Sequence, residues 1–554
     1  MNEHILSYLT FIPLLFALVI IVLPSKFGQF YRWISLAAVI LQAVLLVPIS
    51  YSFIQEGLSS DIGSLAAYQL VENHDWINFS LSSLGEFQVN YLLGIDGISF
   101  SMILLSVLVL LFGTIASWHI EKRRQGYFSM LLLLNTAIIG CFVALDAFLF
   151  YIFFEFMLLP MFFIIGIWGG ERREYASIKF FIYTLVGSIF ILIVFLGQYA
   201  SVIDPIATAQ KAQITSIETL QSLLAQGQVA TEHFVHSFSM VDWADRGNYI
   251  PDSIFHRTGE NTLDITKWAF MALLLGFGIK LAIVPVHTWL PDAHVEAPTA
   301  GSIILAGILL KVGGYGLIRM GYSAFPFEAQ EMAWWVAFLG MFSIIYGGYN
   351  ALAQANLKKL IAYSSVAHMG FVLLGLAAAN IEGINGAVYQ MFAHGFISSM
   401  LFILAGVLYD RTNNLEIENY RGLAFKMPFY TAFITIAFFA SLGLPGFAGF
   451  IAEIMVFVGS FTSKLVPKWM VIVSLFGLVL GAAYYLWTLQ RIFFGQFWIN
   501  QNIIKEDKLK DITIREYLML IPLAVLIIVF GVFPDLLLDY ITPSVKNIVQ
   551  LLHL

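Results

Sequence analysis

The chain has 554 residues, of which 59% are hydrophobic and 11% are charged, and its formal net charge is −7. Soluble globular proteins carry about 25% charged residues, so this composition excludes an ordinary soluble enzyme. Outside the apolar runs there is no basic cluster with interleaved aromatic residues, which argues against a nucleic-acid partner. The single cysteine, Cys141, offers no disulfide framework and no thiolate cluster for a metal, so we expect any redox centre to belong to a partner.

Apolar runs long enough to cross a membrane follow one another along the chain. About 20 apolar residues span the hydrocarbon as a helix, and hydropathy predicts an all-α, polytopic membrane protein with about fourteen transmembrane helices. The first run lacks a basic n-region, so we expect an uncleaved span rather than a signal peptide. The predicted spans lie near residues 5–23, 33–53, 94–117, 128–145, 147–168, 178–202, 268–290, 299–320, 332–352, 360–379, 384–408, 429–460, 469–494 and 516–535.

The basic residues predict how the chain is oriented in the lipid bilayer. An even number of spans places both termini on one side. Most basic residues, including those at 122–124, 358–359 and 505–510, fall on one set of alternate loops. Loops rich in Lys and Arg are cytoplasmic, so we expect both termini on the external side.

Two polar stretches interrupt the spans, and both are expected to face the external compartment. The stretch 54–93 alternates apolar and polar residues, which predicts a small hairpin. The stretch 203–266 contains helix-like pieces such as ITSIETLQSLLAQG and no recognisable catalytic constellation. We interpret this insertion as a lid or a contact surface.

Spans 4–8 and 9–13 form two sets of five. Because five is odd, the second set enters the membrane in the opposite sense, which permits two inverted five-helix repeats. Glycine and proline break the fourth span of each set, at 276–291 and at 441–453, and broken helices in matching positions point to a transport site. The predicted domains are 1–127 with spans 1–3, 128–320 as the first half with the insertion, 332–494 as the second half, and 495–554 with a cytoplasmic loop, the last span and an external tail.

Three ionisable residues lie on separate spans of the first half. Glu155 stands in LFYIFFEFMLLPMFF, Lys280 in GFGIKLAIVP and Lys311 in ILLKVGGYG. A charge at mid-membrane costs about 2.5–3.5 kcal/mol on insertion scales, so each needs a partner or a water-filled cavity, and such residues mark ion pathways. A carboxylate moving relative to a lysine would switch that lysine between holding and releasing a proton. The alternative is a static Glu–Lys pair that joins two helices.

Features beside the two lysines predict a hinge and close packing or water access. Pro285 is expected to end the helix shortly after Lys280 and to free backbone carbonyls. Glycines at 313, 314 and 316 would admit either water or a closely packed neighbouring helix.

The second half contributes a carboxylate and two histidines. Glu453 follows the second break, and we expect it to take the place that Lys280 takes in the first half and to serve proton exit. A stabilising carboxylate at a helix N-terminus is the alternative. His368 and His394 are candidate relays, because histidine as a residue type titrates near neutral pH, although hydrogen-bonded structural roles are equally open. His287, together with His294, is a candidate marker of proton entry, whereas a metal site there lacks suitable further ligands.

Four segments carry a resemblance to a known family. They are GFGIKLAIVPVHTWLPDAHVEAPTAGSIILAGILLKVGGYGLIR, YSSVAHMGFV, MFAHGFISSMLFILAG and LGLPGFAGFIAE. They resemble the antiporter-like membrane subunits of respiratory complex I, the proton-translocating NADH:quinone oxidoreductase, over roughly 90–200 and 267–500. The resemblance implies that Glu155, Lys280 and Lys311 match the family's functional glutamate and lysines. Glu453, where other types carry lysine, favours the M type (chain 4).

The resemblance also implies partners and cofactors. It implies a bacterial inner-membrane translocase subunit that assembles with L- and N-type chains and with hydrophilic redox subunits. NADH, FMN, iron–sulfur clusters and quinone would then belong to those partners, and this chain would hold none. The insertion 203–266 is longer than the family pattern leads us to expect. Two alternatives remain, namely a subunit of a multisubunit sodium/proton antiporter and a scaffold whose charges only fix helix packing.

Overall fold

A computed structural model describes residues 4–56, 64–80, 86–256 and 263–553 of the chain. In these ranges, twelve helical segments are long and apolar enough to cross a membrane. With the two broken spans described below they confirm the predicted all-α polytopic fold. The helices are, in chain order, α1 Ile5–Val22, α2 Tyr31–Glu56, α3 Gly97–Ala116, α4 Arg124–Val143, α5 Ala147–Phe156, α6 Leu158–Trp168, α7 Arg173–Ser201, α8 Pro205–Lys211, α9 Ile217–Ala225, α10 Met240–Ala244, α11 Leu263–Leu281, α12 Trp289–Glu296, α13 Thr299–Ile304, α14 Leu310–Gly316, α15 Pro326–Glu331, α16 Ala333–Leu352, α17 Leu357–Ala377, α18 Ile381–Thr412, α19 Pro428–Ser441, α20 Ala448–Thr462, α21 Lys468–Phe493, α22 Ile514–Val532 and α23 Asp535–His553.

Both predicted breaks are present, each in the fourth span of its set of five. The seventh span consists of α11 and α12, and the twelfth consists of α19 and α20. The backbone between the half-helices turns at residues with positive φ, which are Ala282 at 61°, Gly443 at 74° and Gly446 at 97°. A left-handed residue cannot continue a right-handed helix. Each of these spans is therefore interrupted between its two half-helices, where the regular i→i−4 hydrogen bonding of the helix stops.

A layer of non-membrane structure covers one end of the bundle, which we call the hairpin side. Strands β1 (Gln69–Ser80) and β2 (Glu86–Ile95) pair antiparallel, which confirms the predicted hairpin. In the insertion, α9 confirms the predicted helical piece. The connection from α4 to α5 joins both parts, because the amide of Leu145 donates to the carbonyl of Leu92 at 3.0 Å and the amide of Met240 donates to the carbonyl of Leu145 at 2.9 Å.

Consecutive spans alternate in direction, so the loops 117–123, 169–172, 353–356 and 413–427 share the opposite end, which we call the basic-loop side. A buried ion pair closes the bundle there. The guanidinium of Arg411 donates to both carboxylate oxygens of Glu516, at 3.0 and 2.8 Å. Such a bidentate pair joins α18 to α22 with fixed geometry.

The eighth span lies entirely inside the bundle. It is not a regular α-helix, because π-helical turns at Leu305–Leu309 and Leu317–Tyr322 flank α14. A Cβ atom added to Gly313 would collide with the backbone of Phe277 and Leu281 in α11. Of the two roles expected for these glycines, close helix packing is therefore the one present at this position.

The C-terminal tail after the last span forms the helix α23. Its apolar face, which includes Leu537, Ile541 and Ile548, is buried. The Ser544 hydroxyl accepts a hydrogen bond from the amide of Gly97 at 2.9 Å, at the start of α3.

Candidate functional site

Lys280 is buried where α11 ends at the first break. Its side chain is 1% exposed, and its Nζ lies 4.8 Å from the ring centroid of Phe154. Nζ has no hydrogen-bond partner among the described residues. Burying a cation without a partner costs free energy, so we expect water or an anion to approach the Nζ atom of Lys280.

Glu155, on α5, is the nearest candidate anion. It interacts electrostatically with Lys280 and lies beside Ser188 of α7. Its Oε1 atom has no hydrogen-bond partner within the part of the chain that the structure describes. The two residues are thus coupled through space and are not joined by a hydrogen bond between Glu155 Oε1 and Lys280 Nζ. The movable pair and the static helix-joining pair both stay predictions.

Lys311, on α14, has two close partners. Its Nζ donates to the carbonyl of Ala306, which lies in the π-helical turn before α14, and it lies 2.7 Å from Nδ1 of His394 on α18. His394 Nε2 lies 3.1 Å from the hydroxyl of Ser365 on α17. An imidazole held at both nitrogens can accept a proton on one and release it from the other.

His368 continues the line towards the second break. Its ring centroid lies 5.3 Å from that of His394, and its Nε2 lies 3.1 Å from the hydroxyl of Ser441. Ser441 is the last residue of α19, and its hydroxyl lies 2.6 Å from the hydroxyl of Tyr485. Polar groups therefore extend from Lys311 to the break between α19 and α20.

Glu453 lies on the far side of this break, in α20, and is 5% exposed. Its carboxylate packs directly against Gly443, and it is within electrostatic reach of Tyr484 and Tyr485. Lys280 precedes its break, whereas Glu453 follows its own. Both residues thus lie in the broken fourth span of their half, on different sides of its break, and their functional equivalence stays a prediction.

His287 precedes α12 and His294 lies in its last turn, towards the basic-loop side. His287 is 2% exposed, and its ring packs against Tyr346 at 5.3 Å between centroids. His294 is fully buried and stacks on Phe402 at 4.3 Å. Neither ring nitrogen of His294 has a hydrogen-bond partner among the described residues. Both histidines thus lie between the first break and that side.

The structure brings Lys311, His394 and His368 together and places Glu453 at the end of their line. Glu155 and Lys280 form a separate pair. The helix that carries Lys280, α11, packs against the helix that carries Lys311, α14. The sequence reasoning missed four polar links, which are Ser364, Ser365, Ser441 and Tyr485. The two serines at 364–365 stand three and four residues before His368, which is the spacing of one helix face and could have identified them.

Comparisons with known proteins bear on this arrangement. The membrane family described as NADH:quinone oxidoreductase/Mrp antiporter matches residues 144–481. The chain is 38% identical to NADH-quinone oxidoreductase subunit M of Rhodobacter capsulatus, over 100% of this chain and 97% of that protein. It is also 38% identical to a NAD(P)H-quinone oxidoreductase chain 4 of Synechococcus elongatus, over 96% and 89% of the two chains.

Solved structures share the fold. A chain of respiratory complex I from Thermus thermophilus, solved with bound NADH, superposes with a TM-score of 0.75 and 26% identity over the whole of both chains. A chain of the Mrp complex from a Dietzia species superposes with a TM-score of 0.74 and 17% identity, over 100% and 99% of the two chains, which shows a common fold only.

Proposed function

The chain belongs to the antiporter-like membrane subunits of NADH:quinone oxidoreductase, as an M-type subunit, and we propose that its buried ionisable residues conduct protons across the membrane. The observation that carries the proposal is the line of buried polar groups from Lys311 through His394 and the adjacent ring of His368 to Ser441 at the second break. Protons would enter on the basic-loop side, pass these groups and leave through Glu453. The two five-helix sets are the proposed pumping halves.

In the proposal, the charges of Lys280 and Glu155 control when protons move along this line. Their side chains are coupled without a hydrogen bond at Lys280 Nζ, so a small movement of α5 or α11 changes the field at Lys280. The gap in α11–α12 provides a place where the helix can bend. Moving a unit charge against the membrane potential requires about 2.3 kcal/mol per 100 mV, so partner subunits must supply the energy.

The proposed partners are L- and N-type membrane chains and hydrophilic subunits that carry FMN, iron–sulfur clusters and the sites for NADH and quinone. This chain would contribute no redox centre of its own. The proposed location is a bacterial inner membrane, with the basic loops in the cytoplasm and both termini outside. The basic residues of the short loops support this orientation.

The test is proton pumping by the complete complex in sealed vesicles. Lys280→Met, Lys311→Met and Glu155→Gln should each lower the number of protons moved per NADH oxidised several-fold. Lys546→Met, on the exposed face of α23, is the control and should leave the ratio unchanged. The proposal is overturned if the three variants pump at the wild-type ratio.

A subunit of a sodium/proton antiporter is the second candidate, because the matching family includes Mrp antiporters. It predicts sodium-dependent proton exchange by vesicles that lack NADH and quinone. The first proposal predicts no such exchange, together with co-purification of flavin- and iron–sulfur-containing subunits.

A further inference from the structure

A cavity of about 200 Å³ opens at the basic-loop side, between the ends of the third, fourth, fifth, seventh, eighth, tenth and eleventh spans. One water occupies about 30 Å³ of liquid volume, so the cavity has room for several waters. Its lining contains the ionisable residues His119, Glu296, Lys358 and Asp410. An apolar void would stay dry, whereas a lining with this many polar groups holds water.

Exposure falls from the mouth of the cavity to its floor. His119 and Asp410 are exposed, whereas Lys358 is 4% exposed. The Nζ of Lys358 donates to the carbonyl of Ala297 at 3.0 Å and lies 5.6 Å from the ring centroid of Tyr409. The cationic side chain of Lys358 thus lies at the inner end of the cavity.

Helix stability does not account for this lysine. Lys358 is the second residue of α17, where the helix dipole disfavours a positive charge. Its neighbour Lys359 is partly exposed and does not line the cavity. A buried cation at an unfavourable helix end points to a role other than packing.

Beyond Lys358 lies His294, whose two ring nitrogens have no partner among the described residues. His294 interacts electrostatically with both Lys358 and Lys311. It therefore couples the floor of the cavity electrostatically to Lys311, where the line of polar groups begins.

We propose that this cavity is the intake through which protons enter on the basic-loop side, and that Lys358 passes them to His294 and Lys311. The inference rests on the proton path proposed above and adds its entrance. In each step the ammonium of Lys358 loses a proton to a bridging water, the water gives one to His294, and Lys358 is reprotonated from the cavity. Asp410 and His119 at the mouth, with Arg515 near both, set the charge there.

The first experiment compares two adjacent lysines in the complete complex. Lys358→Gln should lower the protons moved per NADH several-fold, and Lys359→Gln, which removes the same charge from the same turn, should not. Lys358→Arg keeps the charge but cannot release a proton, so it should behave like Lys358→Gln. Normal pumping by Lys358→Arg would overturn the relay role of Lys358.

The second experiment blocks the cavity. Ala116 lines it, and Ala116→Cys provides an attachment point for a membrane-impermeant thiol reagent added on the basic-loop side. Modification should lower the pumping ratio several-fold. Ser25→Cys, exposed on the same side, and the wild-type chain, whose Cys141 is fully buried, are treated in parallel and should not respond.

Lys311→Met separates the two proposals. If it pumps normally, the proton path itself is wrong. If it stops pumping while modified Ala116→Cys and Lys358→Gln pump at the wild-type ratio, the path stands and the cavity is not its entrance.

Discussion

The amine of Lys311 lies 2.7 Å from Nδ1 of His394, although the two residues are 83 positions apart in the chain. With Nδ1 accepting from the lysine, Nε2 carries the imidazole proton and faces Ser365 at 3.1 Å. The histidine therefore has one nitrogen on the first half and the other towards the second. This contact joins a titratable side chain of the first set of five helices to one of the second.

His394→Gln tests that contact. Glutamine keeps a hydrogen-bonding side chain but cannot pick up a proton at one atom and release it from another. We expect the protons moved per NADH to fall several-fold, measured with a pH-sensitive dye in vesicles. His233→Gln, in the insertion and partly exposed, is the matched control. A wild-type ratio in His394→Gln would remove this residue from the path.

We predict that the buried ion pair between Arg319 and Asp96 stabilises the fold. Both side chains are 5% exposed, and Arg319 lies over the rings of Tyr68 and Tyr315 at 5.5 and 5.3 Å. Asp96→Asn keeps the cap on α3, because asparagine is also a good N-cap, but it leaves a buried guanidinium uncompensated. Breaking such a pair costs about 3–5 kcal/mol.

This cost should appear as a lower unfolding midpoint of the purified complex and as weaker assembly. Asp539→Asn, on the exposed side of α23, is the control and should leave the midpoint unchanged. Equal midpoints for the two variants would show that the ion pair adds nothing to stability.

Much of the fold could be predicted because it depends on local sequence. Apolar run length predicts the spans, and the glycines and proline at 443–446 predict the second break. The alternation in 54–93 predicts the hairpin, and isolated charges identify Lys280 and Lys311. Each of these signals lies within about 20 consecutive residues, which is the scale of one membrane helix.

The contacts of the site depend instead on distant segments. Ser441 reaches Tyr485 across 44 positions, and Tyr485 reaches Ser364 across 121. No periodicity within one helix encodes which serine faces which tyrosine on another. The position of Glu453 after its break was predicted correctly, because the glycines and proline that form the break precede it in the sequence, but its packing against Gly443 could not be predicted from that spacing.

We predict that the stability of the insertion, which lies outside the membrane-spanning helices, depends on pH. Asp242 is partly buried, and the hydroxyl of Ser237 donates to its Oδ2 at 2.6 Å. Burial, with the neighbouring carboxylates of Asp204 and Asp245, raises the pKa of Asp242 to about 8, against about 3.9 in an unfolded chain. The folded state therefore binds more protons than the unfolded state between these values, and its stability falls as pH rises.

The stabilising contribution of Asp242 should be complete below about pH 4 and lost as pH rises to about 8. Hydrogen-exchange protection factors of residues 238–248 should consequently be several-fold higher at pH 6 than at pH 9. Asp242→Asn should make them nearly independent of pH, whereas Asp252→Asn, on the exposed part of the insertion, should retain the wild-type dependence. Protection that rises with pH in the wild type would contradict this assignment.

Alanine substitutions at two glycines of the second break distinguish backbone strain from an effect on Glu453. Gly443 and Gly446 both have positive φ, at 74° and 97°, so alanine at either position strains the backbone. A Cβ at Gly443 would collide with the carboxylate of Glu453, whereas a Cβ at Gly446 would meet nothing within 4 Å. Both variants should therefore lose stability, and only Gly443→Ala should also displace the carboxylate and lower the protons moved per NADH several-fold. Equal pumping ratios in the two variants would show that the position of the Glu453 carboxylate does not matter to the path.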